Sequence, residues 1–202
     1  VKSKNLIFIT EVGLDPGIDH LFTHLLVDEL NKEEFSNISV SYKSYCGGIP
    51  AEPNDFRYKF SWSPVGVIKA LSNPAEFVKD FEEKIISRPY ENISNYKIFN
   101  EVFEAYPNRN SLPYIKEYLF PQSWKVKEFV RGTLRLKGWS YSWSEIFSML
   151  KSSPDKLEEK INKKSNELWT KYKYQQDEED RVVLWVNLEA EKEGKTIWSK
   201  TY

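Results

Sequence analysis

The sequence predicts an α+β fold in which a mixed, mainly antiparallel sheet carries helices packed on one face. Residues 37–46 alternate apolar and polar side chains, as a half-buried strand does, and 126–137 is strand-like, with Phe129, Thr133 and Leu134 in it. Residues 182–190 and 196–202 form two further strand patterns, and Lys192-Glu193-Gly194-Lys195 between them is typical of a hairpin turn. Segments with helical spacing separate these strands. Strands joined by hairpins need no helical crossover, so antiparallel pairing is expected to dominate.

The first part of the chain predicts a strand, a turn and a helix. The apolar run over 5–10 predicts a short buried strand. Apolar residues at helical spacing predict a helix over 18–30, with Asp15 as its N-cap and Pro16 at its first position. Residues 47–50, Gly-Gly-Ile-Pro, are expected to end the strand that follows.

The middle of the chain predicts short elements. Pro64 opens a predicted helix that ends near residue 71, and Pro74 opens a second one. Residues 84–87 predict a strand, 92–106 one or two strands, and 107–110 a turn.

The later segments predict helices and an acidic loop. Short helices are expected over 111–119 and 142–151, and a long, highly charged one over 154–174. The mixed charges of this long helix are typical of a solvated face, and 175–180 is expected to form the acidic loop.

Composition narrows the class of protein. The 202 residues suit one domain or a little more, and 40% of them are hydrophobic, enough for a packed core. The net charge of −1 argues against a general nucleic-acid binder and gives no reason to expect a membrane surface as partner. No apolar run approaches the roughly 20 residues of a membrane-spanning helix. The single cysteine excludes an internal disulfide and fits a reducing, cytoplasmic compartment.

Several side chains are open to two interpretations. His20 and His24 have the spacing of a zinc-binding pair, but no third ligand accompanies them, so no metal site is predicted. Cys46 is either a reactive thiol or a small buried residue, and the second is favoured. Trp62 belongs either to the core or to the floor of a cleft.

Three arginines indicate a receptor for carboxylates. Arg109 lies in a predicted turn, while Arg131 and Arg135 lie four residues apart on one predicted strand and share a face. Guanidinium groups pair with carboxylates in a bidentate manner, so the three together would suit a polycarboxylate ligand. The alternative is that each arginine pairs with an acidic residue at the surface.

Five stretches, in this order along the chain, resemble the saccharopine dehydrogenase family, in particular its glutamate-forming branch. The closing hairpin over 182–202 is also similar to the strands that end the substrate domain of that family. The five stretches are Glu11-Val-Gly-Leu-Asp-Pro-Gly-Ile-Asp-His20, Ser44-Tyr-Cys-Gly-Gly-Ile-Pro50, Tyr58-Lys-Phe-Ser-Trp-Ser63, Tyr106-Pro-Asn-Arg-Asn110 and Arg131-Gly-Thr-Leu-Arg135.

The resemblance implies a two-domain, NADP-dependent oxidoreductase of lysine metabolism, of which this chain is one part. Residues 1–12 would be the last strand of a Rossmann domain or the crossover from it, and 13–202 the saccharopine-binding and dimerisation domain. Alone, the chain would be inactive, since it has no Gly-x-Gly-x-x-Gly fingerprint. The implied partners are a second copy and saccharopine, or glutamate with aminoadipate semialdehyde, with no nucleic acid and no membrane. The implied compartment is the cytoplasm or the mitochondrial matrix.

The resemblance also implies roles for individual residues, though it names no general acid or base. Those expected to approach the nicotinamide and its ribose are Leu14, Asp15, Pro16 and Ser63. Those expected to line the saccharopine site are Trp62, Arg109, Thr133, Leu134 and Arg135.

Departures from the family pattern leave two alternatives open. Asn110 stands where an aspartate is expected, Pro64-Val65 replaces a basic residue, and the loop over 51–57 is short. Residues 151–180 resemble nothing in the family. The chain could therefore serve a different amino-acid imine, or could be a dimerising binding module without chemistry.

Overall fold

The computed structural model describes residues 6–152 and 155–202, and within these ranges it contains eight strands and six α-helices. A short 3₁₀ turn spans Pro89–Glu91. In chain order the elements are α1 Ile18–Lys32, β1 Ser39–Pro50, α2 Pro64–Ala70, β2 Ala75–Lys79, β3 Glu82–Ile86, β4 Ser94–Ile98, β5 Glu101–Pro107, α3 Pro113–Glu117, β6 Lys125–Leu136, α4 Trp139–Ser142, α5 Ser144–Lys151, α6 Leu157–Tyr172, β7 Asp180–Lys192 and β8 Lys195–Thr201.

All eight strands belong to one sheet, in the order β3-β2-β6-β1-β7-β8, with the hairpin β4-β5 paired to β6. The first half of β6 pairs with β2 and its second half with β5. Only the central pair β1–β6 is parallel among the pairs of the described chain. The mixed, mainly antiparallel sheet is therefore confirmed, and the four strand segments that predicted it lie side by side within it.

The helices cover one face of this sheet. Alternation along β6 places Phe129, Arg131, Thr133 and Arg135 on that face. Helix α1 packs at one end, where its leucines join the core cluster that contains Phe129. Helices α2, α4, α5 and α6 pack at the other end around a second cluster. The space between the two groups of helices exposes the middle of β6.

The opposite face of the sheet carries a third core cluster, which includes residues of the β4-β5 hairpin. The β4-β5 hairpin brings the Tyr96 ring within 4.9 Å of the Tyr45 ring and 5.9 Å of the Trp185 ring, measured between centroids. Leu134 lies in this third cluster and is fully buried. Its side chain therefore points away from the helix-bearing face.

Two predictions in the middle of the chain were wrong. The segment after Pro74 is strand β2 rather than a helix, because β3 and β6 bond to its two edges. Residues 47–50 do not end β1, which continues to Pro50 because β7 pairs with it residue by residue to Asp180. Gly47 allows this continuation, since a Cβ there would collide with the carbonyl of Leu134.

The start of the chain also differs from expectation. Residues 6–10 form no strand and are exposed, since no neighbouring strand bonds to them; residue 5 lies outside the described residues. Asp15 is not the N-cap of α1, and Pro16 is not its first residue, because the helix begins at Ile18. Gly17 holds the N-cap position, and its N–H donates to the carboxylate of Asp19 at 2.7 Å. Gly17 has φ of +150°, and a Cβ there would collide with Gly13.

The remaining predicted elements are confirmed with shifted ends. The predicted helix over 142–151 begins earlier and is divided at Trp143 into α4 and α5. The long charged helix is α6, and residue 154, its predicted start, lies outside the described residues. None of the helices in the described ranges is long and apolar enough to cross a membrane.

Candidate functional site

A cleft of about 370 Å³ opens on the helix-bearing face, above the second half of β6. A volume of this size lies in the range of about 300–1,000 Å³ that is usual for sites of small molecules. Its floor contains Thr133 and Arg135 of β6, Tyr106 of β5 and Cys46 of β1. The walls are Asp15, Gly47, Gly48, Tyr58, Lys59, Ser61, Trp62, Val67, Ala70, Leu71, Asn108, Arg109, Tyr174 and Asp180.

Arg135 places a guanidinium group among aromatic rings at this floor. Its Cζ lies 5.1 Å from the centroid of the Tyr58 ring and 5.7 Å from those of Tyr106 and Trp139. The group donates to the Leu134 carbonyl and to the Tyr106 hydroxyl, both at 3.1 Å. Its Nε is buried without an acceptor in the described chain. Aromatic rings and neutral oxygens hold this cation in place but do not neutralise its charge.

The carboxylate beside Arg135 in the sheet is used by the backbone instead. Glu104 stands opposite Arg135 in the β5–β6 register and is buried. Its two oxygens accept from the backbone N–H groups of Gly138 and Ser140, at 2.8 and 2.7 Å. These bonds hold the start of α4 and direct the carboxylate toward it.

Arg109 adds a second cation from a turn that is fixed by backbone bonds. Asn108 N–H donates to the Arg131 carbonyl, and Glu76 N–H donates to the Arg109 carbonyl, both at 2.9 Å. Arg109 itself has φ of +53°. Within residues 6–152 and 155–202, neither Arg109 nor Arg135 has a carboxylate within ion-pair distance. The cleft therefore contains two guanidinium groups that are available to an anion.

Arg131 differs, because acidic residues already neutralise it. One of its terminal nitrogens lies 2.7 Å from the carboxylate of fully buried Asp19 and 3.1 Å from that of Asp15. Its Cζ stacks 4.1 Å from the centroid of the Tyr114 ring. Burial and the charge of Asp19 raise the pKa of Asp15, against the opposing effect of Arg131. For Arg131 the interpretation as an ion-pair residue applies, and it does not line the cleft.

Trp62 forms part of the wall from the segment before α2. Its side chain is 53% exposed, which identifies it as a cleft residue rather than a core residue. The indole packs over Gly66 in α2, where an added Cβ would collide with the ring. Ser63, the N-cap of α2, is exposed and does not line the cleft.

The wall beyond Trp62 is built from two segments that are distant in sequence. Phe60 exchanges backbone hydrogen bonds with Tyr172 at 2.9 Å and Tyr174 at 3.2 Å. Lys59 forms an ion pair with Glu178 across the same junction. These contacts hold the 173–180 loop beside the cleft, so that Tyr174 and Asp180 line it.

Cys46 has the properties of a structural cysteine rather than a reactive one. Burial, with the charges of Asp15 and Asp19, raises the pKa of its thiol to about 12. The thiolate is the nucleophilic form, so little of it exists near neutral pH. Of the two interpretations of this residue, the structure supports the unreactive one.

The two histidines serve packing and hydrogen bonding. His20 shares a hydrogen bond of 2.7 Å with the Tyr118 hydroxyl and stacks on the Tyr114 ring. His24 is exposed and meets the edge of Tyr118. In the described part of the chain, no three His, Cys, Asp or Glu residues are grouped closely enough to hold a metal ion.

The structure brings some of the predicted site residues together and separates others. Those that line the one cleft are Asp15, Trp62, Arg109, Thr133 and Arg135. Pro16 lines only an adjoining recess that shares Asp15 and Arg109 with the cleft. Leu14 and Ser63 line neither space, and the side chain of Leu134 faces the core on the other side of the sheet. Only the backbone of Leu134 is oriented toward the site, through its carbonyl bond to Arg135.

Sequence reasoning missed most residues of the cleft, among them three tyrosines, a lysine and an aspartate. Tyr58, Lys59 and Tyr106 lie inside stretches that it singled out, so their neighbours signalled them. Tyr174 and Asp180 carried no signal, because Tyr174 reaches the cleft through the contact of Phe60 with the loop and Asp180 through the pairing of β7 with β1.

Comparison with known proteins gives one consistent result. The family model of the saccharopine dehydrogenase C-terminal domain matches residues 13–202. The chain is 39% identical, over 143 residues, to the saccharopine dehydrogenase [NADP(+), L-glutamate-forming] of Pyricularia oryzae, covering 68% of the chain and 31% of that protein. It is 37% identical, over 153 residues, to the mitochondrial alpha-aminoadipic semialdehyde synthase of Bos taurus, covering 71% and 16%. The chain thus spans about a third or less of the length of these relatives.

The fold is similar to that of a solved relative. The apo saccharopine dehydrogenase (L-Glu forming) of Saccharomyces cerevisiae superposes with a TM-score of 0.72 at 26% sequence identity. The match covers 95% of this chain and 57% of that one. The family model also spans residues 151–180, so the expectation that this segment resembles nothing in the family was wrong.

Proposed function

We propose, since this chain belongs to the saccharopine dehydrogenase family through its C-terminal domain, that it forms the substrate-binding part of an NADP-dependent oxidoreductase. The proposed reaction interconverts saccharopine with glutamate and aminoadipate semialdehyde. The relatives' names supply this reaction, and the chain's own residues supply the site that suits it.

The observation that carries the proposal is the pair of guanidinium groups in one cleft. Arg109 and Arg135 both line it and neither has an acidic partner among the described residues. Arg135 is partly buried, and a cation there without a partner is costly unless a ligand supplies the anion, whereas Arg109 is exposed and free to meet one. Saccharopine carries three carboxylates, so two of them can pair with the two guanidinium groups.

The chain's residues would bind and orient the substrate. Charge-assisted bonds from Arg109 and Arg135 fix two ends of a polycarboxylate, and the rings of Tyr58 and Trp62 exclude water around its chain. Bound NADP(H) supplies or accepts the hydride at the carbon that joins the glutamate nitrogen to the lysine-derived chain. No side chain of the cleft is assigned as general acid or base.

The residues of this chain fit the edge of a cofactor site rather than a whole one. Asp15, whose side chain is partly buried, and Ser63, which is exposed, are polar groups suited to ribose hydroxyls, and Leu14 and Pro16 belong to the same turn as Asp15. The sequence has no glycine-rich phosphate loop. We therefore assign most of the binding of NADP to a part of the protein outside this chain, with Leu14, Asp15, Pro16 and Ser63 approaching its nicotinamide end.

The charge of the cleft argues against the alternatives. A carboxylated polyamine would need fewer cations facing it than Arg109 and Arg135 provide. A module that served only for dimerisation would have no use for two guanidinium groups kept away from acidic partners. These guanidinium groups favour a ligand that carries several carboxylates, and the relatives' names favour reductase chemistry on it.

We also propose that the protein is a homodimer in the cytoplasm or the mitochondrial matrix. The exposed apolar residues Ile7, Phe8 and Leu21 need cover from another part of the protein or from a second copy. The single, free cysteine fits a reducing compartment. Light scattering of the full-length protein should give twice the mass of one chain, and a monomeric mass would refute the dimer.

Turnover by the full-length protein tests the proposed function. With saccharopine and NADP⁺, the absorbance of NADPH should rise and glutamate should accumulate. The 202-residue chain alone should show no turnover and bind NADPH very weakly. A folded full-length protein that leaves saccharopine unchanged, or turnover by the purified chain alone, would contradict the proposal.

A further inference from the structure

We propose that Asp180 is a specificity-determining residue that binds the primary ammonium group of the substrate. The inference rests on the proposed function, because it takes the ligand to be an amino acid with several carboxylates. It adds the part of the cleft that distinguishes an amino acid from a plain carboxylic acid.

The backbone fixes Asp180 at the edge of the cleft. It is the first residue of β7 and pairs with Pro50, the last residue of β1. The preceding residue, Glu179, accepts a hydrogen bond at 3.1 Å from the N–H of Ala51. The backbone of Asp180 is therefore held at a defined position at the rim of the cleft, and its side chain is exposed.

Most charged groups in and around this wall are already paired. Lys59 pairs with Glu178, and Asp15 pairs with Arg131. Asp180 has no ion pair or side-chain hydrogen bond to any other described residue, and the same absence of an ionic partner holds for Arg109 and Arg135. The cleft thus offers a ligand two free cations and one free anion.

This set of charges complements an amino dicarboxylate. Two carboxylates can meet the guanidinium groups, and an ammonium group can meet Asp180. A ligand without the ammonium group would leave Asp180 unpaired beside its own negative charges, and that repulsion disfavours it. Tyr174 beside Asp180 adds a neutral hydroxyl, since burial and the nearby carboxylate raise the pKa of this tyrosine to about 12.

The primary ammonium of saccharopine fits this position better than its secondary amine. The secondary amine is bonded to the reacting carbon, which the proposed function places near Asp15 at the turn before α1. The primary ammonium lies at the far end of the lysine-derived chain, several bonds away from the reacting carbon. Asp180 belongs to the 173–180 loop and β7, a different wall from that turn.

Competition by two inhibitors tests the assignment. L-2-aminoadipate and adipate differ by one ammonium group, and each is tested against saccharopine in the full-length protein. The unaltered protein should prefer aminoadipate by about tenfold, as expected for one partly exposed charge-assisted contact. Asp180→Asn should abolish that preference, and Asp180→Glu should restore part of it.

Asp177→Asn is the matched control, because Asp177 lies in the same acidic loop but does not line the cleft. It should keep the full preference for aminoadipate. An Asp180→Asn protein that still turns over saccharopine and still prefers aminoadipate would overturn the assignment and leave the proposed function standing. Absence of saccharopine turnover in the unaltered, folded protein would refute the proposed function, and this inference with it.

Discussion

Arg131 and Arg135 lie on the same strand and the same face, four residues apart, yet their surroundings differ in charge. Arg131 meets the carboxylates of Asp19 and Asp15 within 3.1 Å. Arg135 meets tyrosine and tryptophan rings, a hydroxyl and a carbonyl. One region is neutralised within the chain, and the other keeps its charge for a ligand.

The difference shows how one strand can contribute both to structure and to binding. The turn before α1 brings Asp15 and Asp19 to Arg131, so that this arginine fastens the turn to the sheet. At Arg135 the nearest carboxylate in register, Glu104, is occupied by the backbone of α4. Arg135 is available for binding because this carboxylate is bonded to the backbone and does not pair with it.

Arg131→Met should give the largest change in stability. It leaves the fully buried carboxylate of Asp19 without its cation, and breaking such a pair costs about 3–5 kcal/mol of unfolding free energy. Urea denaturation of the folded chain measures this loss. Lys127→Met on the same strand is the control, because its ion pair with Glu191 is more exposed and should contribute no more than about 1 kcal/mol.

A loss of less than about 1 kcal/mol in Arg131→Met would contradict the structural role of this arginine. It would mean that the Gly17 N–H and His20 are enough to satisfy Asp19.

Arg135→Met should change the unfolding free energy far less than Arg131→Met does. The substitution removes a cation that no carboxylate in the described chain neutralises, so the lost ring contacts are offset by the relief of its burial. The unfolding free energy should stay within about 1 kcal/mol of the unaltered value. A loss as large as that of Arg131→Met would mean that Arg135 holds the fold together.

The smallest expected effect is on the reactivity of Cys46, whose thiol responds to the charges around both arginines. The thiol stands opposite Thr133, between the two arginines, and its pKa of about 12 is raised by burial and by Asp15 and Asp19 but lowered by Arg135. Its alkylation rate should rise about tenfold per pH unit between pH 7 and 10, since only the thiolate reacts. Asp15→Asn should speed the reaction, and Arg135→Met should slow it.

The unfolded chain in urea provides the reference for an ordinary thiol. Because Cys46 is the one cysteine in the sequence, total alkylation measures it alone. Rates that do not respond to either substitution would mean that these charges do not reach the floor of the cleft.

Local patterns predicted most of the fold but not its longest pairings. The helix over 18–30 and the final hairpin follow from spacing within a few residues, and both are confirmed. The segment after Pro74 is a strand because β3 and β6 flank it, which its own residues do not reveal. The continuation of β1 through Gly47 depends on β7, more than 130 residues later in the chain.

The site was predictable only in part, for the same reason. Alternation along β6 correctly placed Arg131 and Arg135 on one face, but the ion pair with Asp19 depends on how the turn before α1 folds. The same alternation places Leu134 on the opposite face, where its side chain belongs to the core. Asp180 reaches the cleft through tertiary contacts that no motif records.

Saccharopine binding to the full-length protein tests the central claim most directly, namely that Arg109 and Arg135 bind one ligand in one cleft. Calorimetric titration should show that Arg109→Ala and Arg135→Ala each weaken saccharopine binding by about 2–4 kcal/mol, roughly 30- to 1000-fold. The dissociation constant for NADP should change much less in both variants. If both variants bound saccharopine as tightly as the unaltered protein, the cleft would not be its binding site.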